Sequence, residues 1–319
     1  MTGFRRYLGL LMVLLAIPAA QAAPTGRIFV SNEKSNTVSV IDSRTDTVEA
    51  TIEVGGQPRG IGLSPEHDAL YVALGTEGKI AVIDPETLKV VRKFDCGPDP
   101  EAFAVHPDGN IYISMEDNAA ANVYDPRTGQ QIADIRIGLE PEGVAISPDG
   151  SRVIVTSESN NKLYVIAAPE NKVIAEIPVG LRPRSATFSR DGRFAYASSE
   201  IGGTVVRIDM STDKVEKTVS IPGRDAKPKD VVLSRDQKTL FVAGGRANKV
   251  YVLDAHTLEV EKEIPVGMRV WGMALSRDGG RLYTANGESN DVSVIDTASD
   301  EVIDTIAVGK APWGLVIDD

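Results

Sequence analysis

One phrase is written into this chain about seven times, at a spacing close to 42 residues. In its clearest copy it reads Pro-x-Gly, an apolar run, Ser-Pro-Asp-Gly, a second run, a loop, then Val-x-Val-Ile-Asp. A fixed period of this length means one supersecondary unit repeated, and each unit needs neighbours to bury its apolar face. The position opening each copy is occupied by Pro58, Pro100, Pro141, Pro183, Pro228, Val270 and Pro312, at intervals of 41, 42 or 45 residues.

Within a copy the apolar residues alternate. Leu70-Tyr71-Val72-Ala73, Ile80-Ala81-Val82-Ile83 and Val90-Val91-Arg92-Lys93-Phe94 are short β-branched and aromatic runs bounded by turn residues, the pattern of antiparallel strands. Turns such as His106-Pro107-Asp108-Gly109 and Ser147-Pro148-Asp149-Gly150 join the first two strands, with proline presetting φ and glycine accepting a positive one. The third strand ends in Asp, with Thr or Ser three residues on, as in Asp42/Thr45, Asp84/Thr87 and Asp296/Ser299. We read these aspartates as Asx-turn formers. The fourth copy has Ala167 in that place, which predicts a looser turn.

Four short strands per copy predict an all-β fold, a seven-bladed β-propeller with four antiparallel strands in each blade. The strand after Pro-x-Gly is innermost. The chain ends on one such strand, Pro312-Trp313-Gly314-Leu315-Val316-Ile317, and begins with three others lacking an inner partner. The C-terminal strand should therefore complete the N-terminal blade and close the ring.

Residues 1–22 read as a signal peptide, with Arg5 and Arg6 before an apolar stretch, Leu8 to Ala20, and Ala20-Gln21-Ala22 at the cleavage site. That stretch is too short to span a bilayer. Residues 23–319 are then a single propeller domain, exported from the cytoplasm. The formal net charge is -11, and loss of two arginines makes it more acidic, which disfavours nucleic acid as a partner. Cys96 is the one cysteine, so no intramolecular disulfide exists, and we read it as a buried small hydrophobe.

Function must sit where the copies differ. The residue after each opening position reads Arg59, Glu101, Glu142, Arg184, Lys229, Trp271 and Trp313: an acidic, a basic and an aromatic sector. Placed at the channel mouth, such sectors could bind a polar ligand or partner segment, the tryptophans stacking and the charges orienting. The alternative is a solvated rim whose charges pair among themselves. Loops on the same face carry Glu33, Glu116, Glu158, Glu200 and Glu288, with Arg246 as the exception. Enzymatic readings find little support. His67, His106 and His256 belong to different blades and to the opposite face, so they build no metal site, and no Cys-x-x-Cys-His attaches haem. One alternative is a divalent-metal lactonase-type hydrolase using Glu101, Glu142, Asn32 and Asn286, an oxygen-rich set suited to Ca²⁺.

Phe29-Val30-Ser31-Asn32, Val155-Thr156-Ser157 and Tyr283-Thr284-Ala285-Asn286 resemble YVTN-type propeller repeats. Gln57-Pro58-Arg59-Gly60, Pro98-Asp99-Pro100-Glu101, Glu140-Pro141-Glu142-Gly143, Arg182-Pro183-Arg184, Ser199-Glu200-Ile201-Gly202-Gly203-Thr204, Arg269-Val270-Trp271 and Pro312-Trp313-Gly314 are similar to the exported propellers associated with PQQ-dependent catabolism. The resemblance implies a periplasmic, non-enzymatic accessory protein beside quinoprotein alcohol oxidation. Its partner would be a quinoprotein dehydrogenase, a cytochrome or an ABC transporter component. No cofactor is expected, PQQ included, because the tryptophan-rich docking motifs of eight-bladed quinoproteins are missing.

Overall fold

The computed structural model describes residues 22–319; the signal-peptide reading falls almost wholly outside them. They form seven four-stranded antiparallel sheets arranged as blades around a channel. We number the blades from the N-terminus. Blade 1 joins Arg27–Asn32, Thr37–Asp42 and Thr47–Glu53 to the C-terminal strand Pro312–Asp318, and the six other blades are each built from consecutive strands. Among the described residues no helix is long and apolar enough to cross a membrane.

The core is divided as the repeat demands. Seven apolar clusters form, each contributed by two consecutive blades. The cluster of Val30, Ile41 and Leu315 with Tyr283 and Val292 joins blade 1 to blade 7. No blade can bury its face alone, so the ring holds by mutual contact. Closure is further tied by Asp318, whose buried carboxylate accepts from Thr25 N at 2.9 Å, Thr25 Oγ1 at 2.6 Å and faces His67 Nδ1 at 2.6 Å.

Turn chemistry follows the sequence. Ser147 Oγ donates to Asp149 Oδ1 at 2.7 Å and accepts from Arg152 N at 2.9 Å, while Gly150 takes φ of 72°. The aspartates ending the third strands cap their own turns; Asp84 Oδ1 accepts from Glu86 N at 2.9 Å and Thr87 N at 3.0 Å. The Ala167 turn lacks a capping carboxylate and contains a cis Ala168–Pro169 peptide, yet it keeps the strand register of the others. Its closing pair, Ala167↔Lys172, has the register of Asp42↔Thr47, because the strand ladder on either side sets the spacing without a capping carboxylate.

Two irregularities recur in every blade. The outermost strand carries a bulge against the third strand, which twists an edge otherwise open to pairing. The innermost strand carries another just after its opening residue. In blade 4, Pro141 pairs with Ser157 and the ladder resumes only at Val144↔Val155. The skipped residues, Glu142 and Gly143, are thereby released from the ladder. That second bulge builds the mouth.

Candidate functional site

Each inner strand begins on one face, here called the upper face, and runs down the channel. At the start of each, the bulge frees the residue after the opening position to turn inward. Hydroxyls of the second strands then fix it. Ser31 Oγ donates to Arg59 O at 2.6 Å, Ser114 Oγ to Glu142 O at 2.5 Å and Ser198 Oγ to Lys229 O at 2.9 Å, each reaching into the next blade. The same hydroxyls accept the amide released by the bulge in their own blade, as Ser114 Oγ does from Ala102 N at 3.0 Å. The Ser or Thr preceding the last residue of these strands is thus a positioning residue, which the sequence reading passed over.

Arg59, Glu101, Glu142, Arg184, Lys229, Trp271 and Trp313 do share one ring, but it is not a solvated rim. Glu101, Glu142, Arg184 and Lys229 are buried, and Arg59, Trp271 and Trp313 are half-buried. Charge pairing links their sectors. Glu142 accepts from Arg184 Nη2 at 2.7 Å and from Lys229 Nζ. Arg184 also pairs with Glu158 and lies 3.7 Å from Glu200. Arg59 serves Glu33 at 3.1 Å, Asp99 at 3.0 Å and Glu101. The acidic loops, other than Glu288, are therefore partners of the ring.

Lys229 defines the aromatic sector. Its ammonium lies 4.7 Å from the centre of Trp271 and 5.4 Å from that of Trp313, so two ring faces and one carboxylate enclose it. The guanidinium of Arg269 stands 4.6 Å from the Trp271 ring. Gly287 makes room for that indole, since a Cβ there would overlap the ring. Below the ring the channel holds a cavity of about 170 Å³ bordered by Glu142, Arg184, Lys229, Asp230, Trp271 and Trp313.

Burial splits the two glutamates. Glu142, though desolvated, is held down to about 2 by Arg184 and Lys229. Glu101 is pushed up to about 9 by desolvation, by the charge of Glu142 and by its contact with Glu116. Arg59 opposes this, but one guanidinium is divided among three carboxylates, so a proton stays with the group. Lys229 is lowered to about 8, desolvation and Arg184 outweighing Glu142. The Cys96 thiol is pushed up to about 12, chiefly by burial, in keeping with a structural role.

Two further features of the mouth went unread in the sequence. The residue before each inner strand forms an outer ring of Gln57, Asp99, Glu140, Arg182, Lys227, Arg269 and Ala311, every one at positive φ, from 43° to 63°. None is glycine, although such backbone favours it, and the charges again run from acidic to basic. The second is Asp230. Its counterparts in the other blades are Gly60, Ala102, Gly143, Ser185, Gly272 and Gly314. Its carboxylate accepts from Ser185 Oγ at 2.6 Å, Met273 N at 2.8 Å and Val231 N at 2.9 Å, bridging three blades, and desolvation raises its pKa. A charged residue in a column of small ones was the available signal.

The oxygen-rich metal set is not assembled. Asn32 Nδ2 donates to Thr37 Oγ1 at 3.1 Å and Ser39 Oγ at 3.0 Å, and Asn286 Nδ2 to Asp291 Oδ1 at 2.7 Å and Ser293 Oγ at 2.9 Å. Both amides are held within their own blades, and Glu142 is neutralised by two cations. Of that set only Glu101 meets other carboxylates, those of Asp99 and Glu116, with one oxygen from each lying within 4.8 Å of the others. The histidines stay apart: His67 on Asp318, His106 Nε2 on Gly150 O at 2.7 Å, His256 against Arg207.

This geometry can be set beside known proteins. A 94-residue stretch is 29% identical to the uncharacterized protein YncE of Salmonella typhimurium, covering 29% of this chain and 26% of that protein. A 42-residue stretch is 52% identical to PE-PGRS family protein PE_PGRS18 of Mycobacterium tuberculosis, covering 13% of this chain and 9% of that protein. The chain thus spans about a quarter or less of these relatives. Solved propellers match throughout. Kuenenia stuttgartiensis hydrazine synthase superposes with a TM-score of 0.79 at 21% identity, over 92% of this chain and 100% of that one. A putative 6-phosphogluconolactonase from Bacteroides fragilis gives 0.79 at 19%, over 92% and 99%. At such identities these likenesses concern the fold alone. The family described as the choice-of-anchor I domain matches residues 60–276, more than half of the chain. The protein therefore belongs to the choice-of-anchor I domain family of β-propellers.

Proposed function

We propose that this is an exported, non-enzymatic binding propeller that presents its upper face to a partner, in the setting of PQQ-dependent alcohol oxidation. The metabolic setting comes from the sequence resemblance, and the partner it implies is a periplasmic quinoprotein dehydrogenase, a cytochrome or an ABC transporter component. The observation that carries the binding reading is an apolar arc. Leu139, Leu181, Ile201 and Met268 are 60, 54, 53 and 50% exposed, and all four lie on upper-face loops of blades 3 to 6. The other exposed large apolar residues, such as Val91 and Ile174, lie on outermost strands. Large apolar side chains gathered beside a charged mouth suit a docking surface.

The test is capture from periplasmic extract of cells growing on alcohol. The L181D/M268D variant alters exposed loop positions only and should lose the captured protein while keeping its melting temperature; undiminished capture would overturn the reading. A lactonase-type hydrolase is the competing function, suggested by the fold of the putative 6-phosphogluconolactonase. It is weakened by the dispersal of Asn32, Asn286 and Glu142. Lactone hydrolysis abolished by a chelator would establish it instead.

A further inference from the structure

The cations of the mouth fall into two groups. Arg59, Arg182, Arg184 and Lys229 are all ion-paired. Lys227, Arg246 and Arg269 have no ion-pair partner among the described residues, and they stand together, Lys227 opening blade 6, Arg246 on the blade 6 loop and Arg269 opening blade 7. Lys227 O accepts from Gly245 N at 3.0 Å, which brings the first two segments side by side. Desolvation and the like charge of Arg246 lower the pKa of Arg269, with Arg184 adding to them and Glu200 and Glu288 pulling the other way. Arg184, at the wall of the central cavity, has a buried Nε that makes no hydrogen bond and lies 3.7 Å from Glu200. Three neighbouring cations that none of the nearby carboxylates meets in an ion pair repel one another, and an oxyanion bound among them relieves that repulsion. The indole of Trp271 lies beneath Arg269, and Trp313 lies across Lys229 from it. An aromatic wall next to guanidinium forks suits a planar or apolar body behind the anionic group.

We propose that the blade 6–7 quadrant of the mouth is a subsite for the oxyanion group, carboxylate or phosphate, of a small organic anion. Lys227, Arg246 and Arg269 hold the charged group, and the half-buried tryptophans receive the rest of the molecule. This rests on the reading of the mouth as a binding surface and names the class of ligand it takes.

The protein carries its own reporter, since both tryptophans of the chain, Trp271 and Trp313, are at this site. Purified protein is titrated with phthalate, citrate, inorganic phosphate and, as the opposite sign, tetramethylammonium, following tryptophan emission at low salt. Phthalate or citrate should give a saturable change, and R246Q/R269Q should weaken it about tenfold or more, as expected for the loss of charge-assisted contacts. A response to phosphate alone assigns the subsite to phosphate esters and keeps the proposal. Absence of a saturable response to every anion, an equal response to tetramethylammonium, or undiminished affinity in R246Q/R269Q would each overturn it. Circular dichroism melts of the variant guard against a folding artefact, and Arg246 is exposed. Anion titrations that fail while extract capture succeeds would sink the subsite and spare the docking function.

Discussion

Two glutamates at equivalent positions in adjacent blades should respond in opposite ways to the same substitution. Among the described residues, Glu142→Gln removes the sole carboxylate partner of Lys229 and one of three serving Arg184. Arg184 keeps Glu158, but Lys229 is left with two tryptophan faces. At worst the lysine must then fold uncharged. Holding an amine with an ordinary pKa near 10.5 neutral at pH 7 costs at most about 5 kcal/mol, and breaking a buried ion pair from one side costs about 3–5 kcal/mol. Glu101→Gln replaces a carboxyl that already carries a proton. The folded state then loses little. The unfolded chain loses the free energy it gained by ionising at pH 7, about 3 kcal/mol for a normal glutamate. E101Q should therefore match or exceed the parent by up to about 3 kcal/mol. The sign with pH follows. Glu101 is raised on folding, so its stabilisation is complete below about pH 4.5 and is lost as pH climbs toward about 9. Parent stability should fall between pH 5 and 8, at up to about 1.4 kcal/mol per unit from this group, and E101Q should flatten that slope. Urea unfolding followed by circular dichroism at pH 5, 6.5 and 8 reads all three. E142Q/K229M should recover most of the E142Q loss. If E101Q and E142Q lose stability alike, or the slope survives in E101Q, the assignment of the proton is wrong.

Cys96 should resist alkylation by iodoacetamide in native protein at pH 8 and react fully in urea, because its thiol is buried and held near 12; rapid native labelling would contradict this. Deleting residues 312–319 removes the strand that pairs with Arg27–Asn32, and with it Leu315 and Ile317 from the core cluster that joins blades 1 and 7. The truncated chain should lose its cooperative thermal transition, whereas a preserved transition would show that the remaining blades close without it.

The fold was legible because the repeat is redundant: every blade states its strands, turns and neighbours, so Val270 for proline or Ala167 for aspartate does not obscure the pattern. The inner mouth ring was legible for the same reason, as the variable word in a constant frame. Its state was not. Position in a repeat says where a side chain starts, whereas burial depends on whether Glu142, Arg184 and Lys229 bend toward each other across three blades. Asp230 was not legible because its column is otherwise Gly, Ala or Ser, a place the repeat marks for backbone packing rather than for chemistry. The outer ring was missed because a positive φ outside glycine leaves no mark in composition. Asn32 and Asn286 misled for a related reason: an amide at the end of a strand can face its own hairpin as easily as the channel.

Trp313 belongs to the C-terminal strand that closes the ring, yet it forms one wall of the cage around Lys229. The mouth is therefore completed by the same event that closes the propeller, and an open ring presents only part of it. Any molecule that recognises both tryptophans is bound only by the closed form, and by mass action it shifts the opening equilibrium in proportion to its concentration. Ligand occupancy and the security of the C-terminal strand then become one thermodynamic variable, readable as slower proteolysis of the terminal segment when the mouth is filled.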